Sequence, residues 1–205
     1  MPRRSNARDQ MIGTAVKLFR SKGYNGVGLT ELLAVSQAPK GSFYHHFPDG
    51  KEELGEAAID LSRRLTGALI EQAFARSSSA RDAVDHLAAA LATLFEKSAY
   101  SAGCPIAAIA VDAMPQSARL TAAGQAALSD WAAIIVRYLA DFGHGPDQAR
   151  DFADRLAIAL EGAWIVARIQ QSAAPFALVA SMTCVPFSAG PQAPAPTSPR
   201  DRDMP

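Results

Sequence analysis

The sequence predicts an all-α protein: an N-terminal three-helix head with a helix-turn-helix, carried on a larger helical body. Apolar residues recur at three- and four-residue intervals through successive segments, the period of a helix face rather than a strand. Alanine and leucine abound while the strand-favouring Val, Ile and Thr are sparse. Glycine and proline punctuate the pattern where each periodic segment ends. With 205 residues, 49% of them hydrophobic, the chain can bury one sizeable core, or a small domain joined to a larger one.

The first helix is expected from about Asn6 to Lys22, with Met11, Ile12, Ala15, Leu18 and Phe19 on one face and Gly23 as a left-handed stop. Tyr24-Asn25-Gly26-Val27-Gly28 reads as a loop. Thr30 is the expected N-cap of a short second helix holding Leu32, Leu33 and Val35. Ser36-Gln37-Ala38 makes a turn, Pro39 suits the first position of the next helix, and Lys40 to Phe47 form it. Pro48-Asp49-Gly50 breaks the chain before a long helix from Lys51, with Leu54, Ala58, Leu61, Leu65 and Leu69 along one side.

The body continues in the same way. Val84, Leu87, Leu91, Leu94 and Phe95 mark a helix, and Pro105 opens a short one that ends before Pro115. Leu120, Leu128, Trp131, Ile135, Tyr138 and Phe142 mark another long helix. A Gly143-His144-Gly145-Pro146 turn joins it to an antiparallel partner carrying Phe152, Leu156, Leu160, Ala163, Trp164 and Ala167. Pro175 restarts a last short helix with Phe176, Val179 and Met182. The expected organisation is a head over 1–50, a body over 51–185 and a disordered, proline-rich tail over 186–205.

Net charge is zero but unevenly spread: residues 1–51 carry a net +5 and the rest a net −5. A basic head is drawn to phosphate polyanions, although such an excess is also what a plain solvated face shows. No apolar run is long enough to cross a bilayer and no signal peptide opens the chain, so the cytoplasm is the expected location, with no membrane partner. Cys104 and Cys184 form neither a disulfide framework nor a metal motif. No Gly-rich phosphate loop, Gly-x-Ser-x-Gly, His-Glu-x-x-His or Cys/His cluster is present, and His86 and His144 stand alone. An enzyme is therefore not expected, nor a cofactor.

In a unit of two short helices joined by a three-residue turn, the second enters the major groove of DNA. Phe43 and Phe47, four apart, share a face that can pin this helix to the head, while Lys40, Tyr44 and His45 face outward. Gly41 and Ser42 are small enough for close approach to a duplex. Lys-Gly-Ser-Phe-Tyr-His-His-Phe over 40–47, followed by Lys51-Glu52-Glu53-Leu54, resembles the recognition helix and linker of the TetR family of regulators. Phe19, Gly23, Tyr24 and Leu32 fall where that family has similar residues. The spacing of the segment from His46 to Leu54, the Gly103-Cys104-Pro105-Ile106-Ala107 run, and Leu160-Glu161-Gly162-Ala163 with Ala167-Arg168 are similar to an LmrA/YxaF-like subgroup. Together these cover about residues 8–182. One departure is Gln37, where the family usually has glycine, which puts the aim of the third helix in question.

The resemblance implies a homodimer that binds a pseudo-palindromic double-stranded DNA operator and a small, largely apolar effector, most simply as a repressor that the effector releases. It implies that Thr30, Lys40, Tyr44 and Lys51 hold phosphates, with Gly41 in the interface, and that Ser42, His45 and His46 meet bases; His45 and His46 could otherwise simply face solvent. Effector-wall candidates are Phe95, Cys104, Ile106, Met114, Trp131, Trp164 and Arg168, each of which could equally be plain core. The helices flanking Gly143 are expected to pair with their symmetry mates, with Ala149, Ala153, Ala159, Ala163 and Ala167 permitting close approach, unless that face packs within the subunit. The rivals are an enzyme and a ligand-binding protein that has lost its DNA function.

Overall fold

The computed structural model describes residues 7–114 and 116–184, so the expected tail, Asn6 and Pro115 lie outside it. Its helices are α1 (Ala7–Lys22), α2 (Leu29–Ser36), α3 (Lys40–His46), α4 (Lys51–Ala75), α5 (Ala80–Lys97), α6 (Pro105–Ala113), α7 (Ala118–Asp141) and α8 (Pro146–Gln170). A 3₁₀ turn (Ala174–Leu178) then leads into α9 (Val179–Cys184). No strand occurs among the described residues.

The head is α1 to α3. Met11, Ile12, Ala15, Val16 and Phe19 form the buried stripe of α1, and Leu32, Phe43 and Phe47 close on it. Gly23 is left-handed (φ 79°) and its N–H donates to Phe19 O at 2.9 Å, ending α1 as expected. A Cβ at Gly23 would lie 2.8 Å from the Asp112 carboxylate of α6, so the stop is also a point of close approach to the body.

Three local expectations are corrected. Thr30 is not the N-cap of α2; that position is Gly28, and Thr30 lies exposed in the first turn. Gly28 O already accepts from Leu32 N at 3.1 Å, so the helix begins two residues early without a side-chain cap. Pro39 caps α3 rather than opening it: its extended backbone (φ −64°, ψ 143°) leaves its carbonyl to accept from Ser42 N and Phe43 N. Phe47 has already left the helix at φ −136°.

Gln37 takes the conformation that glycine would favour. It sits at φ 54°, ψ 30°, with its N–H donating to Ala34 O at 3.3 Å and the Ala38 N–H to Leu33 O at 3.1 Å. This 6→1 and 5→2 pair closes the end of α2 as a Schellman motif. The turn is thus kept rather than reshaped, and Gln37 bears the cost of a Cβ in the left-handed region. Gln37→Gly should stabilise the head by up to ~1 kcal/mol, less the extra chain entropy glycine loses on folding. A calorimetric Tm that stays put or falls would contradict this.

In the body, α4 is the spine, packed against α7 along most of its length and against α1 and α5. Ser79 caps α5 by accepting from Asp82 N at 3.2 Å, and Ser117 caps α7 by accepting from Leu120 N at 3.0 Å. Pro146 starts α8 behind Gly145. A further correction concerns the alanine series of α8: Ala149, Ala153, Ala159, Ala163 and Ala167 are all buried inside the subunit, none more than 9% exposed. They allow close packing within the chain, where α8 meets α7, the 3₁₀ turn and α9. The outward stripe of α8 is instead Ile158, Ile165, Val166 and Ile169, joined by Leu178 and Met182.

Head and body share a tightly bonded joint. Arg20 Nε donates to Gly103 O at 2.7 Å while Gly103 N donates to Arg20 O at 3.0 Å. Arg168 of α8 donates to Ser21 O at 2.7 Å and to Arg20 O at 3.5 Å, holding the last carbonyls of α1 as a cation should. Asp112 accepts from Asn25 N at 2.7 Å. Arg119 at the start of α7 bridges Asp49 at 2.8 Å and Glu56 at 2.6 Å, fastening the loop before α4 to α4 itself and to α7.

Candidate nucleic-acid interface and ligand cavity

Helix α3 is built to present one face. Phe43 and Phe47 are fully buried with ring centroids 5.4 Å apart, and the Arg8 guanidinium covers Phe47 at 5.4 Å. That fixes the opposite face: Lys40, Gly41, Tyr44 and His45 are exposed, with Ser42 and His46 at its margins. Tyr44 is half exposed, yet its ring packs edge-on to Phe43 at 5.2 Å, so the hydroxyl is held out on a rigid arm. The His45 and His46 rings stand 5.1 Å apart. Thr30 is exposed on α2. Seven of the eight candidates from the sequence thus surround α3 in open or partly open positions.

Lys51 is placed differently. Its ammonium donates to Tyr24 O at 2.6 Å and stands 4.3 Å from the centre of the Tyr24 ring. Burial pulls its pKa below the ordinary lysine value, with Asp112 pulling the other way. The side chain thus ties the start of α4 to the loop after α1 through one of its three N–H donors.

A second site lies in the body. A cavity of about 460 Å³ opens between α1, α4, α5, α7 and α8, with a predominantly apolar lining that includes Leu65, Leu69, Leu91, Leu94, Trp131 and Trp164. Polar groups are few and come from Arg20, Ser62, Thr66, Gln72, Cys104 and Glu161. The Ser62 hydroxyl is already committed to Ala58 O at 2.7 Å, and Trp131 Nε1 to Arg63 O at 2.9 Å. A neighbouring hollow of about 270 Å³ at the head–body joint shares Arg20, Cys104, Glu161 and Trp164, and adds Arg168.

Of the sequence candidates, Cys104, Trp131 and Trp164 line the main cavity and Arg168 the adjoining hollow. Phe95 does not line it: fully buried, it backs Trp164 at 5.7 Å in an edge-to-face pair. Ile106 and Met114 pack against α7 at Gly124, where a Cβ would meet Met114 Cε at 2.8 Å. Sequence reasoning missed Arg20, Gln72 and Glu161. Arg20 carries no local signal of such a role, since only the fold brings α1 to the cavity wall.

Burial pushes the Glu161 carboxyl above the ordinary carboxylate range, partly offset by a hydrogen bond with the Cys104 thiol. Burial likewise pushes that thiol up, assisted by the nearby Glu161 charge, so Cys104 stays protonated. A carboxyl with a raised folded pKa costs stability as pH rises from its unfolded value through its folded one. Glu161→Gln should therefore gain in Tm relative to the parent as pH rises above the usual carboxylate range, and show no gain in acid. A Tm difference independent of pH would remove this account of Glu161.

Residues 12–58 match the family model for bacterial regulatory proteins of the tetR family, and residues 80–182 match that for the C-terminal domain of LmrA/YxaF-like transcriptional regulators. The uncharacterized HTH-type transcriptional regulator YxaF of Bacillus subtilis is 28% identical over 180 residues, which span 88% of this chain and 94% of that protein. The uncharacterized HTH-type transcriptional regulator Rv0196 of Mycobacterium tuberculosis is 31% identical over 178 residues, spanning 84% of this chain and 89% of that one. Among solved structures, a cysteine mutant of the TetR family regulator CifR complexed with 26bp double-strand operator DNA superimposes with a TM-score of 0.70 at 22% identity, covering 88% of this chain and 96% of that one. These relatives are regulators rather than enzymes. The chain belongs to the TetR family of DNA-binding transcriptional regulators, in its LmrA/YxaF-like subgroup.

Proposed function

We propose that a symmetric dimer of this chain represses transcription from a pseudo-palindromic operator and is released by a small, largely apolar effector bound in the α1–α4–α8 cavity. The observation that carries this reading is the lining of that cavity. Val16 and Arg20 belong to α1 of the head, and Ser62 to Gln72 to the helix that begins at the end of the head. An occupant touches both, so it can favour one head position over another without an intermediary. Only a difference in its affinity for the two positions moves the equilibrium, and a coupling of ~1–3 kcal/mol is typical.

In this reading residues 1–50 read DNA and 51–185 bind the effector and the second subunit, although α1 serves both units. Lys40, Tyr44 and Thr30 hold phosphates, while Ser42, His45 and His46 reach bases past the small Gly41. Lys51 acts indirectly, by tying α4 to the loop after α1. The open amides at the start of α4 remain available to a phosphate. The outward stripe of Ile158, Ile165, Val166 and Ile169, with Leu178 and Met182, is the proposed face between subunits.

Fluorescence anisotropy of the purified protein on labelled DNA from upstream of its own gene, with random DNA as competitor at two salt concentrations, tests the DNA half of the proposal. Tight, salt-sensitive binding that survives the competitor is expected. If no sequence, including those from a selection out of random DNA, binds better than the competitor, the proposal fails. Within that assay Tyr44→Ala should weaken binding on all sequences alike. His45→Ala should relax preference at one or two positions, by ~1–3 kcal/mol per lost base contact.

A further inference from the structure

The polar groups of the cavity are few, and one is charged without a charged partner. Arg20 is anchored through Nε alone, on Gly103 O, and its guanidinium lies over Trp164 at 5.5 Å from the ring centre. Among the described residues it makes no ion pair, and its Nη atoms make no hydrogen bond, although it lines both the cavity and the adjoining hollow. Glu161 lines the same two spaces without pairing with it. Of the other polar lining groups, the Ser62 hydroxyl is committed to Ala58 O, and Thr66 and Gln72 offer only a neutral hydroxyl and amide. A half-buried guanidinium cannot shed its proton to relieve its desolvation, so its unpaired donors are the strongest unmet demand in the cavity.

Resting on the reading of this cavity as the effector site, we propose that the effector is an amphipathic carboxylate. Its apolar body lies among Leu65, Leu69, Leu91, Leu94 and Trp131, and its carboxylate is held by the Nη fork of Arg20. The planar fork matches a carboxylate with two parallel bonds, as an ammonium or a neutral amide cannot. Glu161 does not forbid this. Its carboxyl is engaged with the Cys104 thiol and makes no ion pair with Arg20, so the Nη donors stay open, and burial pushes its pKa above the ordinary carboxylate range. The consequence is regulatory. Arg20 is a residue of the DNA-reading head, and the same side chain joins α1 to the α5–α6 loop at Gly103. A ligand that draws on this guanidinium acts on the head at first contact.

Calorimetric titration with three probes of one shape tests the assignment: biphenyl-4-carboxylate, biphenyl-4-carboxamide and 4-phenylbenzylamine. The carboxylate should bind the parent protein about tenfold tighter than the amide, or better, and the amine should bind weakest. Arg20→Gln should erase the preference for the carboxylate while amide affinity is retained, which also shows that the cavity still folds. Glu161→Gln should keep the preference. The proposal is overturned if the carboxylate binds no tighter than the amide, if the amine binds tightest, if Arg20→Gln leaves the preference intact, or if none of the three binds. Arg20-dependent carboxylate binding that leaves operator affinity unchanged would keep the ligand class and remove the release mechanism instead.

Discussion

Phe43→Ala is expected to abolish operator binding while leaving ligand binding in the body measurable. Phe43 is fully buried and packs on Phe47, which itself lies under Arg8, so its ring is what fixes α3 to the head. Truncating a buried phenylalanine costs about 3–5 kcal/mol. Helix α3 has seven residues and no side-chain cap, too little to hold itself once that anchor is gone. The loss should therefore appear on every DNA sequence. The cavity draws only Val16 and Arg20 from the head, and these lie on α1, which α4 and α6 support independently of α3. Tyr44→Phe is the companion variant: it keeps the ring on Phe43 and removes only the outward hydroxyl, so it should weaken DNA binding with little change in Tm. Anisotropy and thermal melts on both variants check this. Operator binding retained by Phe43→Ala would mean that α3 is not the reading helix.

The second large effect is expected from Ile158→Glu combined with Ile169→Glu. These side chains are 74% and 77% exposed in the single subunit, an arrangement that leaves apolar surface in water for no benefit to the monomer. Eleven positions apart on α8, they lie three turns along one face, with Ile165 and Val166 between them. Glutamates there would place like charges against their symmetry mates in a two-fold interface. The variant should sediment as a monomer and bind a full operator no better than a half-site, with the melting behaviour of the subunit core little changed. A dimer that survives both glutamates would move the interface elsewhere.

The architecture was legible because periodicity and punctuation agree. The apolar stripe of each helix and the Gly or Pro between helices both follow from burying one face of a short rod, and both are written locally. The α3 face was legible for the same reason, since Phe43 and Phe47 at four-residue spacing dictate which residues remain outside. The starts of α2 and α3 were misplaced because Gly28 and Pro39 cap with backbone carbonyls alone and carry no side-chain signature, while Thr30 offers one that goes unused. The cavity was only half legible. Trp131 and Trp164 announce themselves as large apolar residues, but Phe95 looks the same in sequence and stands behind the wall. Arg20 reaches the cavity because α1 is held against the body, where the α1–Gly103 and α1–Arg168 bonds fasten it, and Glu161 carries no local sign that α8 turns it inward. The alanines of α8 show the same limit: small residues signal close packing, but not whether the neighbour is the same chain or another.

In the proposed mechanism DNA and effector compete for the position of one jointed head. The most direct test measures the affinity of a releasing effector for the free protein and again for the operator-bound protein. Weaker effector binding on the operator is expected, by the same factor by which the effector weakens operator binding, since coupling between two binding sites is reciprocal. Equal effector affinity in the two states would contradict it.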